Sequence, residues 1–208
     1  MINWWLWAGT AALYTLFRLW YGNRRGKLTP SEIDFYLNRG RQHGADAVND
    51  LAIIRDFLEN DDGREFFMVN LVKYTGQIPH PETGAKTTGQ AMLQHYSKTF
   101  VKNMIRYAGH PALATRKIGG YVDAWNVPPD PGWHITGFMR YRSRRDMIDM
   151  ATDPKFNAIH KFKLAGVAET FSFPSQPMIM LLAGPRVTLA LILLLAAALI
   201  QIALLLHR

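Results

Sequence analysis

Apolar residues run almost unbroken at the two ends of this chain and recur periodically between them. Residues 2–21 contain one charged side chain, Arg18, and residues 187–206 contain none. About 20 apolar residues, each rising 1.5 Å, cross a hydrocarbon core of about 30 Å. The pattern therefore predicts a transmembrane helix over 1–22 and another over 178–208. Trp4, Trp5 and Trp7 crowd one end of the first, and Trp20 and Tyr21 mark the other. Such rings have apolar bodies and polar tips and settle at headgroup depth. Arg18, about one turn from the helix end, can snorkel to the interface. A cleaved signal peptide fits less well, because no basic residue precedes the apolar run and no small-x-small site follows it. In the second segment Gln201 is the one strongly polar side chain. It either bonds a neighbouring helix or is a lone amide tolerated near the interface.

Residues 23–64 read as a basic linker and a helical segment. Thr29-Pro30-Ser31-Glu32 combines an N-cap threonine, proline at the first helical position and glutamate three after the cap. Ile33, Tyr36 and Leu37 continue a helical spacing. After a turn at 40–44, Val48, Leu51, Ile54, Phe57 and Leu58 form a second stripe. Residues 65–177 then alternate strand and helix. EFFMVNLVKY, residues 65–74, is rich in aromatic and β-branched residues and predicts a strand. A loop over 75–86 follows. Leu93, Tyr96, Phe100, Met104 and Tyr107 form one face of a helix over 88–108, with Gly109 as its candidate C-terminal cap. Strands are expected over 112–118 with 121–126 and over 133–142, joined by the turn former VPPDPG. Ser143 with Asp146 opens a helix that Asp153-Pro154 interrupts and Gly166 ends. A last strand covers 169–173.

Charge and composition place this organisation. The net charge is +8, and there is no cysteine, so disulfides and thiol chemistry are set aside. Arg24, Arg25 and Lys27 follow the first apolar segment and Arg186 precedes the second. By the positive-inside rule the middle domain is cytoplasmic. The expectation is an integral membrane protein of the bacterial inner-membrane type, with the lipid bilayer as first partner. The positive charge matches topology and anionic headgroups, and no nucleic-acid-binding signature accompanies it, so nucleic acid is not expected.

From residue 65 the order is β-α-β-β-α-β, the split arrangement of a ferredoxin-like α+β fold. VNLVKY in the first strand, RKIGGYV in the second and WHITGFMRYRSRRDMIDMATDPKF onward resemble the dimeric α/β-barrel superfamily, and within it a small domain family of unknown function. The resemblance covers the α+β domain alone. It implies a four-stranded antiparallel sheet with helices on one face; the other face must be covered, and a second copy of the same sheet is one solution. It also implies a range of activities, since that superfamily includes small monooxygenases, isomerases, haem enzymes and proteins with no known reaction.

Four residues are candidates for binding or chemistry. His134, Thr136, Phe138 and Arg140 share one strand face, while Ile135, Met139 and Tyr141 share the helix-packing face. His134 is a candidate acid or base, and equally a solvated residue after a turn. Arg140 suits a carboxylate or phosphate, or an acid across a dimer. Asn70 is a carboxamide within an apolar strand, sharing parity with Met68 and Tyr74. It bonds a ligand, a buried backbone group or a dimer partner. Tyr121 follows Gly119-Gly120, a pair that suggests a bulge or a close approach. His95, His110 and His160 lack a metal-ligand spacing, and neither a metal nor a cofactor is expected. The reading is a membrane-anchored accessory or structural subunit that forms a homodimer or higher oligomer and associates with other membrane-protein subunits. The alternative is a membrane-anchored enzyme or binder for an apolar small molecule such as a quinone, lipid or aromatic.

Overall fold

A computed structural model of the chain describes residues 2–44, 47, 49–180 and 183–207; Val48, placed in the second helical stripe, lies outside them. The chain forms two compact units, one of residues 1–24 with 177–208 and one of residues 25–176.

The first unit is a helix pair, α1 (Trp4–Tyr21) and α8 (Pro185–Leu206). They run antiparallel. At one end the Asn3 backbone N–H donates to Gln201 Oε1 at 2.8 Å, and at the other the Arg186 guanidinium lies 5.5 Å from the Tyr21 ring centroid. Gln201 thus bonds the start of the partner helix in its own chain. Pro185 at the first helical position suits a start where an N–H has no partner. Among the described helices, α8 is long and apolar enough to cross a membrane. The expectation of two such segments is met by this one. α1 is shorter, at 18 residues, and its tryptophans, tyrosines and Arg18 make it less apolar.

The second unit contains α2 (Pro30–Gln42), α3 (Leu51–Glu59), β1 (Phe66–Tyr74), β2 (Gln77–Pro79), β3 (Lys86–Thr88), α4 (Gly89–Arg106), β4 (His110–Arg116), β5 (Ile135–Tyr141), α5 (Arg144–Ala151), α6 (Pro154–Asn157), α7 (His160–Gly166) and β6 (Val167–Ser175). The sheet order is β4-β5-β1-β6 with every neighbouring pair antiparallel. This is the ferredoxin-like order, its second helix broken into three pieces. Local chemistry sets the boundaries. Thr29 and Glu32 form the capping box of α2, and Ser143 Oγ accepts the Asp146 N–H at 3.1 Å to start α5. Pro154 then stops continuation of α5, because a prolyl nitrogen has no proton for the helical ladder.

Several expectations are corrected. The turn expected at 40–44 begins later, since α2 runs through Gly40, which is buried. The loop over 75–86 holds a small hairpin of β2 and β3. Gly109 is not the left-handed cap of α4. Ala108 takes that conformation, with φ 55°, and the Gly109 and Ala108 N–H groups donate to the Met104 and Ile105 carbonyls at 2.8 and 3.1 Å, closing a Schellman motif. Gly109 instead sits in a tight place, since a Cβ there would lie 3.0 Å from the Arg140 carbonyl oxygen. No strand forms over 121–126. β4 ends at Arg116, opposite Ile135, and residues 117–134 make an excursion held by its own polar contacts.

Helices pack on one sheet face. Phe66, Met68, Met139 and Tyr141 meet Phe100 and Met104 of α4 and Met147 and Met150 of α5. Met92 and Tyr96 of α4 meet Phe156 and Phe162. α4 approaches α7 closely at Gly89 and Gly166: a Cβ on Gly166 would lie 2.7 Å from the Gly89 carbonyl oxygen. Outside α5, Leu28, Ile33, Tyr36, Leu37 and Leu58 close over Ile148. α2 and α3 therefore extend the helix layer outward. Leu58, with no exposed surface, contributes about 1.5–3 kcal/mol by burial.

Candidate functional site

Strand alternation places the remaining residues. Since Phe66 and Met68 face the helices, Phe67, Val69, Leu71 and Lys73 face the other side. Register brings Phe138 opposite Val69 and Phe171 and Phe173 opposite Leu71 and Val69, and Leu113 opposite Phe138. The result is an open apolar strip in which Phe171, Phe173 and Leu113 keep 48%, 46% and 44% of their surface exposed. An ion pair bounds it at each end, Glu65–Arg140 at 2.6 Å and Lys73–Glu169 at 2.6 Å.

Arg140 lies on this face, as its parity predicts, but its guanidinium is committed. Its Nη2 and Nε reach the two Glu65 carboxylate oxygens at 2.6 and 3.2 Å, and its plane lies 5.7 Å from the Phe67 ring centroid. Across β4, His110 stands opposite Arg140. Burial, reinforced by the Arg140 charge, holds the His110 imidazole below its ordinary pKa, so it is neutral at pH 7.

Asn70 belongs to the opposite, helix-side parity. Its Nδ2 donates to the Met68 carbonyl at 2.9 Å and its Oδ1 accepts from Ser172 Oγ at 2.7 Å. It ties the edge strand β6 to β1. His134 sits where the β1–β5 ladder ends. Its Nδ1 accepts the Tyr74 N–H at 3.1 Å, and its ring stacks on Tyr74 with centroids 4.8 Å apart. It substitutes for a backbone carbonyl at the frayed end of the ladder. Tyr121 lies in the 117–134 excursion, where its hydroxyl accepts the Trp133 indole N–H at 3.1 Å and Lys117 lies over its ring. Lys117 also pairs with Asp130. The structure therefore brings together Glu65, Arg140, Phe67 and His110, and it does not gather Asn70, His134, Arg140 and Tyr121 around one point. Among the described residues no group of three or more His, Cys, Asp or Glu side chains is placed to hold a metal ion.

Sequence reading did not find Glu65 as the partner of Arg140, because their pairing crosses 75 residues. The signal for the open strip was present in TFSF, residues 170–173, where polar and aromatic residues alternate. A second feature was not foreseen. A groove of about 500 Å³ runs along the α7–β6 junction, lined by Trp133, Lys163, Leu164, Val167, Ala168, Glu169 and Thr170.

No protein-family model and no curated protein matches the sequence. Among solved structures, the chain is similar to a structural-genomics protein of unknown function from Rhodopseudomonas palustris, with a TM-score of 0.54 and 19% identity over 64% of this chain and 96% of that one. The methylated form of that protein gives a TM-score of 0.54 and 20% identity over 63% and 93%. A putative antibiotic biosynthesis monooxygenase from Bacteroides thetaiotaomicron aligns at a TM-score of 0.37 and 14% identity over 58% and 96%, too remote to bear on this chain's chemistry. The likeness to the Rhodopseudomonas protein is one of fold: the chain carries an α+β domain of ferredoxin-like architecture.

Proposed function

We propose that this protein is a membrane-anchored assembly subunit. α8, with α1 as a second span beside it, holds the α+β domain at the cytoplasmic side of the bilayer, and the open sheet face docks a second copy of the domain. The helices associate with other membrane subunits. The observation supporting this most strongly is the apolar strip of Val69, Leu71, Leu113, Phe138, Phe171 and Phe173, with three of its side chains nearly half exposed and an ion pair at each end. Contiguous exposed apolar surface of this kind marks association sites, and a charged rim around an apolar centre is the usual anatomy of an interface. The alternative, chemistry on an apolar small molecule by Asn70, His134, Arg140 and Tyr121, draws less support, since each is engaged by its own chain.

The test is the mass of the full chain in detergent or nanodiscs, with Phe173→Asp as the variant. The expected result is a dimer or larger oligomer that becomes monomeric on substitution, with unchanged circular dichroism. A monomeric parent at micromolar concentration, or an undisturbed oligomer in the variant, refutes the sheet-face interface.

A further inference from the structure

The groove at the α7–β6 junction is lined by one charged side chain that makes no ion pair among the described residues. Of its polar lining residues, Glu169 is neutralised by Lys73 at 2.6 Å, and the Thr170 hydroxyl donates to the Leu71 carbonyl at 2.7 Å. Lys163 is different. It is half-buried, and among the described residues its ammonium makes neither a hydrogen bond nor an ion pair. The surrounding protein strips enough water from it to hold its pKa below the ordinary lysine value. A cation in that position is destabilised unless a compensating charge is supplied.

The rest of the lining is apolar. Leu164, Val167 and Ala168 form one wall, and the Trp133 indole forms another. Trp133 is fixed from two sides, by its N–H bond to Tyr121 and by edge-to-face contact with Phe171 at 5.2 Å. Its ring is thus presented as a rigid surface. The volume of about 500 Å³ falls within the roughly 300–1,000 Å³ of small-molecule sites. One lysine and no arginine lines it. That favours a single negative charge over a dianionic phosphate, since lysine offers a point charge with no planar fork.

We propose that this groove binds a small organic monocarboxylate with an aromatic or otherwise apolar body. The carboxylate pairs with Lys163, and the body lies on Trp133 between Leu164 and Val167. This goes beyond the assembly role: the groove lies at the α7–β6 junction, meets the apolar strip only at Glu169 and at the Trp133–Phe171 contact, and its test reads ligand binding, not oligomeric state.

The experiment uses the full chain in phosphatidylcholine nanodiscs, with empty nanodiscs as blank. Binding of 6-fluoro-2-naphthoate is followed by fluorine NMR, and the uncharged 6-fluoro-2-naphthamide is run beside it. The expected result is saturable naphthoate binding, with the amide at least about tenfold weaker, the equivalent of about 1.4 kcal/mol. Lys163→Met should weaken naphthoate by a similar factor and leave the amide unchanged, and Lys163→Arg should restore most of the affinity. Equal binding of acid and amide to the parent overturns the proposal without reference to any variant. So does the absence of saturable binding up to millimolar naphthoate, or undiminished affinity in a folded Lys163→Met protein.

Discussion

Replacing Glu32 by glutamine removes a charge on which two elements depend. The Glu32 carboxylate completes the capping box of α2 and pairs with Arg145 of α5, whose side chain is only 4% exposed. That pairing, chiefly the hydrogen bond from the guanidinium, holds the Glu32 pKa at about 2, against an ordinary 4.5. At about 1.4 kcal/mol per pH unit the shift corresponds to roughly 3 kcal/mol favouring the folded carboxylate. Glu32 retains 27% of its side-chain exposure, so solvent screening brings this to about 2 kcal/mol. The substitution also leaves Arg145 without its acid, though the Lys27 carbonyl still accepts from it at 2.7 Å. The expected loss at pH 7 is therefore about 2–3 kcal/mol. The sign of the pH dependence follows from the depressed pKa. The stabilisation is fully present above about 4.5 and is lost as pH falls toward 2. Denaturant unfolding of parent and Glu32→Gln between pH 7 and pH 2 should show two curves that converge on the acid side. Equal stability at pH 7, or a gap that stays constant down to pH 2, would refute the reasoning.

Other outcomes follow from the same geometry. Gly166→Ala should destabilise the domain by about 1–3 kcal/mol by overpacking, since its Cβ would meet the Gly89 carbonyl oxygen at 2.7 Å and Met92 Cβ at 2.9 Å; a thermal midpoint equal to the parent's contradicts this. Glu65→Gln should cost about 2 kcal/mol, because Arg140 is 6% exposed and would be left as a buried charge without its acid. In the parent, His110 should titrate below 6.5. The Glu65 carboxylate raises that value against burial and Arg140, so Glu65→Gln should lower the midpoint further; a His110 NMR titration at or above 6.5 is the contrary result. Protease added to sealed inside-out vesicles should cut residues 25–176, and protease added to right-side-out vesicles should not; the reverse pattern would overturn the cytoplasmic orientation inferred from Arg24, Arg25, Lys27 and Arg186.

What the sequence by itself determined is local or periodic. The start of α2 at Thr29-Pro30-Ser31-Glu32, the start of α5 at Ser143 and its interruption at Pro154 follow from groups within four residues of one another. The apolar run of α8 needs no partner to be recognised, and the β-α-β-β-α-β order follows from alternating periods. Only the tertiary structure decided what depends on distant neighbours. Which face of β1 meets the helices rests on its register with β5 and β6, so Asn70 turned to the helix side while Val69 and Leu71 line the open strip. Arg140 found Glu65 across a sequence separation of 75 residues. His134 became a ladder cap because β5 begins one residue later and leaves the Tyr74 N–H without a strand carbonyl. The positive φ fell to Ala108, not to the adjacent glycine, because the Schellman hydrogen bonds close one residue earlier, on the Met104 and Ile105 carbonyls. That Lys163 lines a groove without an ion-pair partner among the described residues is a property of the space between α7, β6 and Trp133. No residue type or spacing encodes that space until those three are packed together.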